Sequence, residues 1–134
     1  FPSNTNAQKE LSQYNTTNDQ IELLDNPDLV NDDVELQRLI ELVESNRPDF
    51  RFESTINMIG YKWIRVHGSS TTAIPVFKLN CRLFPKSSNA YDSLGEAYML
   101  NGQYNDALKN YKKSFKLGNV NAEAQIVKLK TLKK

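Results

Sequence analysis

The sequence predicts an all-α fold: an array of helical hairpins with about two repeats, an N-terminal helix before them and a C-terminal capping helix after them. Three observations carry that expectation. Gly60 and Gly95 lie 35 residues apart, while Ala73 and Ala107, and Phe77 and Tyr111, lie 34 apart; a self-similarity of about 34 residues is the period of helix–turn–helix repeats. Leu36, Leu39, Ile40 and Val43 fall on one face at i, i+3, i+4 spacing, which is helical rather than strand periodicity. Gly68, Gly102 and Gly118 each follow a helical stretch, where a left-handed residue closes a last turn.

Each element has its own justification. Residues 1–30 read as a polar leader, partly ordered: the first 20 are rich in Asn, Thr, Ser and Gln, with one short helix expected around Ala7–Tyr14. Residues 31–52 read as an acidic N-terminal helix. Asn31 or Asp32 can cap it, Asp32, Asp33 and Glu35 suit the positive end of its dipole, and Pro48 ends it. Residues 53–134 hold the repeats and the cap, with helices expected at about 53–66, 70–83, 88–101, 104–117 and 121–133. The turn after the first glycine-bearing helix is one residue longer in the first copy, Val66-His67-Gly68-Ser69-Ser70 against Asn101-Gly102-Gln103, and this accounts for the 35 against the 34.

The repeated residues have physical reasons. A glycine inside a helix costs about 1 kcal/mol relative to alanine, so Gly60 and Gly95 imply close approach of a second helix. Ala73 and Ala107 are small enough for that crossing. Trp63, Phe77, Tyr98 and Tyr111 supply bulk between layers. Pro75 falls in the early turns of its helix, where a missing N–H does least harm. Asn121 can cap the last helix, which offers Ala124, Ile126, Val127 and Leu129 to the open end of the array.

The composition fits this picture. With 134 residues there is room for one compact domain, and 39% hydrophobic and 25% charged residues are ordinary for a soluble globular chain. No apolar run approaches the roughly 20 residues of a membrane-spanning helix. The chain opens at Phe1 rather than Met, so it is expected to be cut from something longer, with a signal peptide or a further domain upstream. Cys81 is the single cysteine, which excludes an internal disulfide, and its apolar surroundings read as those of a buried hydrophobe.

The net charge of +1 conceals a polarity. Residues 1–60 hold twelve acidic and four basic side chains, and residues 86–134 hold nine basic and four acidic. The basic residues of that end are all lysines without interleaved arginines and aromatics, so no nucleic-acid partner is expected.

The second copy, Asn89-Ala90-Tyr91-Asp92-Ser93-Leu94-Gly95-Glu96-Ala97-Tyr98 followed by Gly102-Gln103-Tyr104-Asn105-Asp106-Ala107, Tyr111 and Ser114, resembles the tetratricopeptide repeat (TPR). The first copy matches more loosely, through Ile56, Ile59-Gly60, Trp63, Ala73, Phe77 and Pro85, and Asn119 stands where the family usually has proline. A narrower likeness runs through Ile56-Asn57-Met58-Ile59-Gly60-Tyr61, Phe77-Lys78-Leu79-Asn80 and Phe84-Pro85-Lys86-Ser87-Ser88-Asn89 into the same second copy. It is similar to a TPR-like tail that follows the catalytic domain of some bacterial serine hydrolases, β-lactamase-like or esterase-like. That resemblance implies a bacterial origin, a lean towards the cell envelope or periplasm, and an accessory role. It carries no catalytic residue with it.

Motifs for chemistry are sparse. There is no G-x-S-x-G elbow and no S-x-x-K, and a serine nucleophile would have only His67 as a histidine base. One His and one Cys make no thiolate–imidazole zinc set. The run Asp25-Asn26-Pro27-Asp28, Asn31-Asp32-Asp33 lacks the glycine and terminal glutamate of an EF-hand loop. No catalytic residue, metal ligand or cofactor is expected.

What remains is a surface. In the TPR family the first helix of each pair lines a concave face, and the residues this resemblance places there are Asn57, Tyr61, Arg65, Asn89, Asp92, Ser93 and Glu96, with Met58, Ile64 and Met99 beside them. The expected function is a noncatalytic protein–protein interaction module, with the accessory segment of a serine hydrolase as the alternative. The expected partner is a protein or peptide, which includes a neighbouring domain of the same polypeptide. Asp92 and Glu96 argue against capture of a C-terminal carboxylate and favour a basic or neutral partner. Two further possibilities stay open: the acidic helix fills the concave groove, or the Lys109, Lys112, Lys113 and Lys116 stripe meets the acidic helix of a second copy in a homodimer.

Overall fold

The computed structural model describes residues 17–30 and 32–132, and among them the chain is all-α with no strand. The helix expected at Ala7–Tyr14 lies outside the described residues. The elements are α1 (Thr17–Leu23), α2 (Pro27–Val30), α3 (Asp33–Ser45), a 3-10 turn (Phe50–Phe52), α4 (Glu53–Arg65), α5 (Ser70–Leu83), α6 (Ser88–Leu100), α7 (Tyr104–Lys116) and α8 (Ala122–Leu132).

Local chemistry sets the helix starts. Asp32 caps α3, its carboxylate accepting from the Val34 N–H at 2.9 Å. Ser69 and Ser87 cap α5 and α6 through their hydroxyls. Each of these satisfies N–H groups that have no partner inside the helix. At the exit of α6, Gly102 takes φ 77°, and the next residue, Gln103, donates its N–H to Tyr98 O at 2.9 Å. α3 stops at Ser45, before Pro48, and the turn passes through Arg47 at φ 47°.

The helices from α4 to α8 each pack on the next in the chain, and α4 also touches α6. Two contacts recur at equivalent positions of the two pairs. Asn80 on α5 donates to Glu53 O at 3.1 Å, and Ser114 on α7 donates to Ser88 O at 2.7 Å. The Phe77 ring lies against Gly60, and the Tyr111 ring lies against Gly95. The glycines therefore make room for an aromatic ring of the partner helix. Ala73 and Ala107, on the same partner helices, are fully buried. Trp63, Phe77, Tyr98 and Tyr111 are all buried, as expected for residues between layers.

At the far end α8 packs on α7, and Asn119 O accepts the Ala122 N–H at 3.2 Å in the turn between them. The buried face of α8 is Ala122 and Leu129, with Ile126 half-buried. Ala124 and Val127, expected on that face, are exposed, because the 122, 126, 129 stripe and not theirs faces the array.

The segment before α4 contributes to the same core. Ile21, Leu23 and Leu24 are buried with Leu36, Leu39, Ile40 and Val43. The Trp63 indole donates to Leu24 O at 2.8 Å, and Lys62 pairs with Asp25 at 2.6 Å. The polar stretch of 17–24 thus carries three apolar anchors. α3 packs on α1, α2 and α5, and Arg82 of α5 pairs with Glu44 at 3.0 Å.

Candidate functional site

The seven residues expected on one face sit on α4 (Asn57, Tyr61, Arg65) and α6 (Asn89, Asp92, Ser93, Glu96). These two helices touch, and the contact brings Tyr61, Asp92, Ser93 and Glu96 together. The Tyr61 hydroxyl donates to Glu96 Oε1 at 3.1 Å across the seam. Its ring stands edge-on to Phe77, with centroids 5.1 Å apart, and the Arg65 guanidinium lies 4.7 Å above its centroid. Burial pushes the Tyr61 phenol from the ordinary 10.0 up to about 12, with the charges of Glu96 and Asp92 adding to the shift and the nearby Ser93 hydroxyl opposing it.

Asp92 and Glu96 are one turn apart on α6 and both half-buried. Burial raises the Asp92 carboxyl above its usual range, the Glu96 charge raises it further, and a 3.2 Å hydrogen bond from Asn119 opposes both. The same Asn119 amide reaches Ser114 Oγ at 3.0 Å, tying this carboxylate to the turn before α8. Tyr111 lies close enough that Asp92, Glu96 and Tyr61 reinforce the upward shift of its buried phenol. The result is a carboxylate pair between two tyrosines.

Ser93 departs from expectation. It is 1% exposed, so it forms the floor of the seam and not its outer face. Its hydroxyl faces Tyr61 without hydrogen-bond geometry, and Asn57 Oδ1 is likewise buried without a partner. Asn89 is exposed, and Arg65 is exposed apart from its stacking on Tyr61. Among their neighbours, Met58 is exposed, whereas Ile64 and Met99 are half-buried against the core. A shallow groove of about 280 Å³ runs beside Tyr61 and Arg65, lined also by Met58, Lys62 and Val66.

Sequence reasoning missed a second groove of about 580 Å³ between α3 and α5, lined by Ile40, Ile74, Pro75 and Lys78 and crossed by the Glu44–Arg82 pair. Its existence depends on how α3 docks, and no local motif encodes that. The acidic helix packs on α5 and not to a comparable extent on α4 or α6. Lys109, Lys112, Lys113 and Lys116 are exposed, with Lys113 5.8 Å from the Tyr91 ring centroid.

His67 Nε2 lies 3.9 Å from Asp25, and its ring packs against Trp63 at 4.5 Å between centroids. The Cys81 thiol is buried and pushed up to about 12 by that burial. Among the described residues, no three His, Cys, Asp or Glu side chains group as a metal site, and no helix is long and apolar enough to cross a membrane.

No family model matches this chain, and no curated protein matches it.

Proposed function

We propose that this chain is a noncatalytic protein–protein interaction module of the TPR type, whose binding face is formed by α4 and α6. The Tyr61–Glu96 hydrogen bond carries the reading. It joins equivalent positions of two successive repeats, 35 residues apart, into one surface. The recurrence of Asn80 to Glu53 O as Ser114 to Ser88 O, and of Gly60 under Phe77 as Gly95 under Tyr111, supports the repeat assignment. The groups that would otherwise suggest chemistry are engaged elsewhere. His67 packs on Trp63 beside Asp25, and the Cys81 thiol is held neutral inside the core. The partner is a protein or peptide, or a neighbouring domain of the same polypeptide, lying along the Tyr61–Glu96 seam and the groove beside it.

The test is a peptide-display selection against the full chain, with each selected peptide mapped by backbone-amide NMR shifts. Selected peptides should move the amides of α4 and α6 around Tyr61 and Glu96. Binders that move only the α3–α5 groove, or a selection that yields none, would overturn the assignment.

A further inference from the structure

The α4–α6 seam holds more hydrogen-bond acceptors than donors. Asp92 and Glu96 are half-buried within one helical turn of each other, and among the described residues no lysine, arginine or histidine reaches ion-pair distance of either. Next to them the Ser93 hydroxyl, in a residue only 1% exposed, is buried with no hydrogen-bond partner. Polar groups out of contact with water normally find partners. Here the two ionised carboxylates can only accept, and no positive charge faces them.

We propose that Asp92 and Glu96, beside the Tyr61 hydroxyl, receive the ammonium group of a lysine side chain from a basic partner peptide. This rests on the interaction-module reading and specifies the chemistry of its ligand. One oxygen of each carboxylate is already taken: Glu96 Oε1 accepts from Tyr61, and Asp92 Oδ1 accepts from Asn119. That leaves Asp92 Oδ2 and Glu96 Oε2, one on each residue. An ammonium carries three donors and no acceptor on a compact centre, which suits acceptors spread over separate residues. A guanidinium fork is best matched by both oxygens of one carboxylate. The upward shift of Asp92 agrees with a pair that lacks its counter-charge. The Arg65 guanidinium is stacked over the Tyr61 ring and forms an ion pair with neither carboxylate. The peptide's apolar residues would lie in the adjoining groove against Met58 and Val66, which are 64% and 67% exposed.

The experiment titrates the isotopically labelled full chain with a nonapeptide of alternating lysine and alanine at low ionic strength, where exposed charges are least screened. Amide shifts are expected at Tyr61, Ser93 and Glu96, and the Glu96→Gln and Asp92→Asn variants should each bind at least tenfold more weakly. Both are isosteric, Asn at 92 can still accept from Asn119, and an unchanged spectrum away from the seam shows that the fold persists. The arginine version of the peptide should bind several-fold more weakly and the glutamate version not at all. Arg65→Ala should tighten lysine-peptide binding by removing a like charge. Affinity unchanged in both carboxylate variants, shifts confined to the acidic side of α3, or the same seam shifts with calcium chloride alone and none with peptide would each overturn the lysine site. If display-selected neutral peptides occupy the seam equally in wild type and variants, the interaction module stands and only the lysine assignment falls.

Discussion

A Cβ added to Gly60 would lie 2.3 Å from Phe77 Cε1, whereas one added to Gly95 would lie 3.1 Å from Tyr111 Cγ. The two glycines each face an aromatic ring of the following helix, but the space they have differs. Phe77 is fully buried and cannot retreat, so Gly60→Ala should cost about 1–3 kcal/mol despite the helix propensity gained. At Gly95 the ring needs to give only a few tenths of an ångström, and alanine should fall within about 1 kcal/mol of the parent. Gly95→Leu adds a branched side chain to the same contact and should cost about 2–4 kcal/mol. Thermal and urea melts of the three variants measure this order, and a Gly95→Leu protein that melts with the parent would remove ring contact as the reason for glycine. The sequence showed that something must press on these glycines. It could not say that the pressing group was the aromatic and not the alanine, because both recur with the same period.

At the scale of elements, the helices from α4 onward begin and end within a residue or two of where caps, glycines and periodicity put them. Those signals are local: a serine hydroxyl meets its own helix start, and a glycine its own helix end. The N-terminal third was less legible. α1 and α2 are short, and their anchors, Ile21, Leu23 and Leu24, are scattered among polar residues, so their burial became apparent only once Trp63 was seen to donate to Leu24 O. The docking of α3 on α5 was equally hidden, since amphipathicity shows which face is buried and not which neighbour covers it. This makes α1 part of the folding unit. Ile21→Ala should destabilise the chain by about 2–4 kcal/mol, because the residue is fully buried. Urea denaturation checks it, and a midpoint equal to the parent's would mean that α1 docks without contributing to stability. On the candidate face, the residues the sequence singled out lie on α4 and α6, but it missed that Ser93 faces inward, since spacing alone does not fix the rotation of a helix.

Across the whole molecule, the pairs are joined at a seam rich in phenols and carboxylates, which makes stability sensitive to alkali. Folding raises the pKa of Tyr61 from 10.0 to about 12, and that of Tyr111 moves upward as well. The folded state therefore holds these protons more tightly than the unfolded chain. Their contribution is present in full below pH 10 and is lost as pH climbs from there through about 12. The melting temperature should fall across that window, and Tyr61→Phe should shrink the fall; a melting temperature flat over the same range would contradict the burial assigned to the seam. At neutral pH the repulsion between Asp92 and Glu96 works against folding.

Cys81 supplies a way to watch this array breathe. It sits on α5, its side chain is 6% exposed, and its thiol is pushed up to about 12, so in the closed state it is both shielded and protonated. A thiol-specific reagent in excess can modify it only during moments when α5 lifts from its neighbours, so the labelling rate becomes a stopwatch for local opening. With no other sulfhydryl in the chain, the readout needs no engineering and reports from a single place.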